Sequence, residues 1–216
     1  MDETVIITIK QQHIQLLPQR AAYWKEQETL IVADIHLGKA TAFRKAGIPI
    51  PEGAMERDLQ ALKNLIQKTQ SKRCIVVGDL IHSASGISET VKELFELWLE
   101  SINCEVDLVV GNHDRSLIKN LPDEWNLNLH LQKLIIPPFC FCHIPALING
   151  YFVWSGHIHP EIVLKSGVDR LRLRCFQVFE DQAILPAFSS FVGGSYVQKN
   201  EINRIYAIAD HQIIEI

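Results

Sequence analysis

TLIVADIH, residues 29–36, is a continuous apolar run that ends in a carboxylate and an imidazole two positions apart. A run this short, rich in β-branched residues and broken by a polar group, reads as a strand buried on both faces of an α/β sheet. At its end, positions 34 and 36 project to the same side, so Asp34 and His36 can share one ion. The pattern recurs along the chain. CIVVGD (74–79) ends in Asp79, DLVVGNHD (107–114) reaches Asn112, FCFCH (139–143) ends in His143, and YFVWSGHIH (151–159) supplies His157 and His159. Such sheets gather their ligand sites at the carboxyl ends of their strands. Any one of these ends alone reads as a loop cap or a surface pair; five in order describe a dinuclear metal centre and hydrolytic chemistry.

The residue types suit that chemistry. Asp79 follows a glycine that allows a tight turn, and its two carboxylate oxygens can bridge two cations at the ~3.5–4 Å spacing of two-metal hydrolases. Asn112 offers a neutral amide oxygen, His113 a titratable ring, and Asp114 a carboxylate able to hold that ring in one tautomer. On its own, GNHD reads equally as a turn with an exposed histidine. His82 reads as a structural histidine near the site. The mixed nitrogen and oxygen donors suit two divalent ions, Mn²⁺ first, with Fe or Zn²⁺ as alternatives, better than Ca²⁺ or Mg²⁺. Cys140 and Cys142 face one side of a strand with no second cysteine pair, which argues against a closed zinc site.

Around these runs, VIITI, IQLL and RAAYW predict a strand meander with KEQE as a turn before residue 29. KATAFRKAG predicts a short helix ended by Gly47, and IPIPEG an extended link. Leu59, Leu62, Leu65 and Ile66 repeat at helical spacing, as do Val91, Leu94, Phe95 and Trp98 behind a Ser88 cap. Residues 29–110 thus form a βαβαβ pattern with parallel pairing. QKLIIPPF, FCFCH, YFVWS, RLRLRCFQVF and RIYAIA predict a second, strand-built sheet.

At 216 residues with no linker or repeat, one domain spanning 1–216 is expected. Five cysteines without a CxxC pair fit reduced thiols and, with no secretory signal or membrane-length apolar run, a cytoplasmic location. A net charge of −4 excludes a broad electrostatic footprint for nucleic acid but not a local one.

With Asp-x-His, Gly-Asp, Gly-Asn-His-Asp, a lone His and Gly-x-His in this order over residues 34–159, the sequence resembles the calcineurin-like metallophosphoesterases. The resemblance implies an α/β fold, a four-layer αββα sandwich of two mixed sheets flanked by helices. It also implies that Asp34, His36, Asp79 and His159 bind one ion and Asp79, Asn112, His143 and His157 the other. One departure is visible: the family's Gly-Asp-x-x-Asp reads Gly-Asp-x-x-His here, with His82 last. HLGKATAFRKAGIPIPEG (36–53) and LPAFSSFVGGSYV (185–197) are similar to the bacterial ligase-associated DNA-damage-response subgroup, which implies DNA as substrate and a DNA ligase, a helicase and a nuclease as partners.

On this reading His113 protonates the leaving oxygen of a phosphoester and Asp114 orients it. Arg44, Lys39 and Arg115 are candidates for substrate phosphates, against solvated surface charge. Arg170, Arg172 and Arg174 share one face of a strand, either as a phosphate-binding stripe or as a solvent face. Phe188 and Phe191 are candidates for base stacking, against core. The expected activity is a phosphodiesterase or endonuclease acting on DNA. The alternatives are a phosphoesterase for nucleotides, cyclic nucleotides or lipid-linked pyrophosphates, and a scaffold with little activity.

Overall fold

The structure is a computed structural model that describes residues 2–50, 52–122 and 124–216. Its first half forms a seven-stranded sheet in chain order. β1 (Val5–Ile9), β2 (Gln12–Leu17), β3 (Ala21–Trp24) and β4 (Thr29–Val32) make the expected antiparallel meander, and the KEQE turn is one 3₁₀ turn. β5 (Arg73–Val77), β6 (Glu105–Val109) and β7 (Asn128–His130) then add in parallel. The connections hold α1 (Lys39–Lys45), α2 (Ala54–Thr69) and α3 (Glu89–Glu100). Ser88 Oγ accepts the Val91 N–H at 3.3 Å, satisfying one of the free donors at the start of α3. Residues 48–50 of the IPIPEG link have no regular structure, and its Pro51 lies outside the described residues.

Period-two alternation divides the first sheet's side chains between two cores. Leu30, Val32, Cys74, Val76 and Leu108 face the helices, meeting Leu59, Leu62, Leu65 and Ile66 of α2 and Val91, Phe95 and Trp98 of α3. The Trp98 indole N–H donates to the Leu59 carbonyl at 2.8 Å and ties the two helices together. Ile31, Ile75, Val77 and Val109 face the other way, against Phe139, Phe141, Phe152, Trp154, Phe176 and Tyr206 of the second sheet. Each of these rings buries roughly 150–250 Å², so this inter-sheet layer is a major source of cohesion.

The second sheet has the order β14 (Ser195–Tyr196), β11 (Pro160–Ser166), β12 (Asp169–Val178), β13 (Gln182–Ile184), β10 (Phe152–Ser155), β9 (Phe139–Phe141) and β8 (Leu134–Ile136). β15 (Arg204–Ala209) pairs with the last residues of β12 and with β16 (Gln212–Glu215). Both sheets are mixed, as expected for the sandwich, but the helices are unevenly shared. α2 and α3 cover the first sheet, whereas the second sheet's outward Cys140, Cys142 and Val153 are met by the loop side chains of Ile148 and Tyr151. All five cysteines are free thiols. Among the described residues no helix is long and apolar enough to cross a membrane.

Register positions the site. Val32 pairs with Val76, and Val77 with Val109, so the residues just past β4, β5 and β6 reach one sheet edge together. Phe141 pairs with Trp154 in parallel, which aligns His143 with the loop that carries His157 and His159. Backbone bonds extend this pairing past the strand ends: the Asp34 N–H donates to Gly78 O (3.1 Å), His36 to Asp79 O (2.9 Å) and Gly156 to His143 O (3.1 Å).

Candidate metal centre

Two clusters form where the sheet edges meet. Asp34, His36 and His159 bring one ligand atom each to within 4.8 Å of one another, and Asp79, His143 and His157 do the same. Asp79 lies between them, its Oδ2 4.0 Å from His36 Nε2 and 3.4 Å from His143 Nε2. Asn112 Oδ1 is 2.8 Å from His143 Nε2, which puts the amide oxygen beside the second cluster. The floor, made of Asp34, His36, Asp79 and His143, is buried; Asn112, His113 and His157 form an exposed rim.

Glycines set these approaches. A Cβ on Gly78, whose φ is +82°, would lie within the His143 ring, and a Cβ on Gly111 would collide with the Asp79 carboxylate. Five ligand positions are themselves left-handed: Asp34, His36, Asp79, His157 and His159 have φ between 43° and 67°. Such backbone costs on the order of 1–3 kcal/mol per non-glycine residue and persists only where the surroundings enforce it. Here the interlocked loops do so, as when the His157 N–H donates to Asp34 Oδ2 at 3.0 Å across the two sheets.

Outer contacts fix the imidazoles. His159 Nδ1 sits 3.0 Å from the Gly193 carbonyl and His143 Nδ1 3.4 Å from that of Val77. A carbonyl only accepts, so each Nδ1 carries a proton and each Nε2 is the nitrogen turned inward. Burial pushes the His36 imidazole down to about 3, which keeps it neutral and able to ligate. For His143 and His159 burial also opposes charge, but the neighbouring Asp79 and Asp34 outweigh it and raise both rings above the usual imidazole range. Burial lifts Asp34 above the usual carboxylate range despite His159 and His143. For Asp79 burial is outweighed by the His143 contact and the His113 N–H, which hold it low. Asp34 Oδ1, both His36 ring nitrogens and His159 Nε2 are buried without a hydrogen-bond partner. Orphaned ligand atoms of this kind around the Asp34 and Asp79 carboxylates fit a pair of divalent ions.

His113 stands at the rim, its Nε2 3.9 Å from Asp79 Oδ2 and its main-chain N–H donating to Asp79 Oδ1 at 3.0 Å. Asp114 does not orient it, contrary to the sequence expectation. The Asp114 carboxylate is buried and accepts the N–H groups of Ile81 (2.8 Å), Gly111 (2.9 Å) and Leu80 (3.3 Å), pinning the loops after β5 and β6 together. The His113 ring is instead held by the His82 carbonyl, 2.7 Å from Nδ1, and stacks on the His82 ring at 5.5 Å between centroids. The residue that replaces the family's second aspartate therefore supports the rim histidine.

A cleft of about 230 Å³ beside His36 is lined by Lys39, Thr41, Arg44, Ser88, Ser189 and Phe191 among others. Two of the three candidate phosphate-binding residues thus border the site; Arg115 is exposed on the loop after Asp114. Phe188 is fully buried, under the Arg20 guanidinium, so it is core, while Phe191 is partly exposed on the cleft. Arg174 belongs to neither reading of its stripe. Its guanidinium donates to the carbonyls of Ala187, Ser189, Ser190 and Val192 at 2.6–3.1 Å, and Asp58 of α2 accepts the Ser190 N–H at 3.0 Å. This pinned segment supplies the Gly193 carbonyl to His159. Sequence reading missed the supports because most are backbone carbonyls, which are the same at every residue; an arginine two positions from other arginines was the one visible signal.

Residues 28–201 match the model of the calcineurin-like phosphoesterase family. The nuclease MPE of Pseudomonas putida has a similar crystal structure, with 29% identity, 98% of this chain and 100% of that chain covered, and a TM-score of 0.86. The phosphoesterase Yfce of E. coli is more distant, at 16% identity and a TM-score of 0.45 over 87% of this chain and 97% of that one. No curated protein sequence matches. Matched over most of its length, the chain belongs to the calcineurin-like phosphoesterases and is a metal-dependent hydrolase of phosphoester bonds.

Proposed function

We infer that the chain is a nuclease that cleaves phosphodiester bonds in DNA, acting as one domain on single-stranded or damaged ends during repair. The observation that carries this reading is the likeness over nearly the whole chain to a protein described as a nuclease, combined with two adjacent ligand clusters between which the Asp79 carboxylate lies. Asp34, His36, Asp79 and His159 would hold one ion, and Asp79, Asn112, His143 and His157 the other, with Mn²⁺ the first choice. Divalent ions in such a site offset charge developing on phosphate oxygens and make water more acidic. The chain's own contribution is positional. His113, its Nδ1–H donating to the His82 carbonyl, directs Nε2 into the site; as the imidazolium it gives the Nε2 proton to the leaving oxygen and is left as the neutral Nδ1–H ring. Lys39 and Arg44 border the cleft and hold flanking phosphates, with Arg115 on the rim. A cytoplasmic location and cooperation with a DNA ligase, a helicase and a second nuclease complete the proposal.

The test is hydrolysis of a bis-aryl phosphodiester and of labelled single-stranded DNA by metal-stripped protein resupplied with Mn²⁺. Cleavage of both supports the nuclease reading. Hydrolysis of the aryl diester alone would transfer the assignment to a small phosphoester, such as a nucleotide or cyclic nucleotide.

A further inference from the structure

β11 and β12 form a hairpin that leaves the body of the sandwich. Its far end, residues 165–172, is exposed throughout, and both faces of β12 are open there. The register sorts its side chains. Glu161 pairs with Arg174, Val163 with Arg172 and Lys165 with Arg170, so these six share one face; Leu164, Leu171, Ser166 and Asp169 take the other. Four cations and two carboxylates lie in residues 160–174, and one of those carboxylates, Asp169, is on the opposite face.

The basic face is the one that looks toward the metal loops. Arg172 pairs with Glu161 and donates to the Gly194 carbonyl at 2.7 Å, and Arg174 is bound to residues 187–192, whose continuation holds His159. Lys39 of the cleft lies within the field of Arg174. Beyond Arg172, Lys165 and Arg170 meet no carboxylate among the described residues. Tyr196 pairs with Glu161 across β14 and is 51% exposed, which adds an aromatic ring to the same face.

We propose that this hairpin face, with Lys165 and Arg170 at its tip and Tyr196 at its base, binds a single strand of nucleic acid running out of the metal centre. The proposal rests on the nuclease reading above and names the surface that would make the site select a polymer. Unneutralised cations at the tip and an exposed ring at the base of one face match what an unpaired strand offers, phosphates in a row and open base faces. With a net charge of −4 over the whole chain, a local basic stripe is the place where such a strand can approach. β11 starts at the residue after His159, so at ~3.3 Å per residue Lys165 lies about 20 Å from that ligand, roughly six nucleotides of a stacked strand.

The experiment compares the full-length wild type with Lys165→Gln/Arg170→Gln and with Tyr196→Ala. Binding of labelled single-stranded DNA is followed by fluorescence anisotropy with a chelator present to keep the strand intact. Cleavage of strands longer and shorter than the hairpin's reach is then measured with Mn²⁺, beside bis-aryl phosphodiester hydrolysis. The double variant should bind at least ~10-fold more weakly at low salt, and its log–log salt slope should be shallower by about 1.4, two phosphates at ~0.7 each. Tyr196→Ala should weaken binding with the slope unchanged. kcat/KM should fall for long strands only, with the aryl diester unaffected. Variants with unaltered affinity and slope, beside a wild type that does cleave DNA, would overturn the hairpin assignment and leave the nuclease reading standing. A wild type that hydrolyses the aryl diester yet neither binds nor cleaves DNA would overturn the nuclease reading itself.

Discussion

His113 and Gly78 show how single residues carry this site. His113 is exposed, and the contacts of its ring are to the His82 carbonyl, the neighbouring histidine rings and the edge of Asp79. His113→Ala should therefore keep both ions while lowering kcat by about 10²–10⁴-fold, the usual contribution of a positioned proton donor. Metal analysis of the purified variant decides between this and a ligand role, since loss of an ion would make His113 part of the centre. Gly78→Ala should do the reverse, because its Cβ would displace the His143 ring and its φ of +82° disfavours a side chain; bound metal should fall along with activity. A pH effect belongs at the same scale. In the metal-free protein burial opposes the charge on His143 and His159, but Asp79 and Asp34 prevail, so both rings keep their protons above the ordinary 6.5. Protons and ions compete for the same Nε2 atoms, so metal affinity should be weak below those raised values and recover only as pH climbs through them. Calorimetric metal titrations across that range would show a flat affinity if the rings were unprotonated throughout.

At the scale of elements, the segment after β13 acts as a brace. Four of its carbonyls converge on Arg174, its Ser190 N–H meets Asp58 of α2, and its Gly193 carbonyl holds His159. Arg174→Gln removes charge and fork geometry together and should release the Gly193 contact. Loss of such outer support to a ligating imidazole typically costs 10–100-fold in metal affinity. Binding of an ion at the cluster of Asp34, His36 and His159 should weaken, and binding at the cluster of Asp79, His143 and His157 should stay. A metal titration in which both sites weaken equally would show a general loss of fold instead. Much of this scale was legible: Leu59, Leu62, Leu65 and Ile66 gave α2 its buried face, and Ser88 gave α3 its cap. β14, two residues long, was not, because a strand that short leaves no periodicity to read.

For the whole molecule, the metal centre and the inter-sheet core are linked. The ligand loops join the first sheet to the second through Asp34, His157 and the Phe188 N–H bond to the Ala33 carbonyl at 2.7 Å. Ions bound there should stabilise the sandwich itself, by about 2.7 kcal/mol at a hundredfold excess over Kd. Melting curves with chelator and with Mn²⁺ should separate accordingly, and identical curves would show that the ions do not bind the folded state preferentially.

The order of the candidate ligand residues, the strand runs that carry them and the parallel βαβαβ order were determined by the sequence alone, because hydrophobic period and residue chemistry are local properties. Tertiary structure decided what the local pattern leaves open. Asp114 and His82 exchanged their expected parts, since backbone N–H groups of a neighbouring loop reached the carboxylate first and left the His113 ring to a carbonyl. Arg174 went to a brace while Lys165 and Arg170 stayed in solvent, although three of the arginines alternate identically in sequence. Which member of a periodic run is buried depends on what the chain lays over it from a distance, and that is fixed only when the two sheets pack.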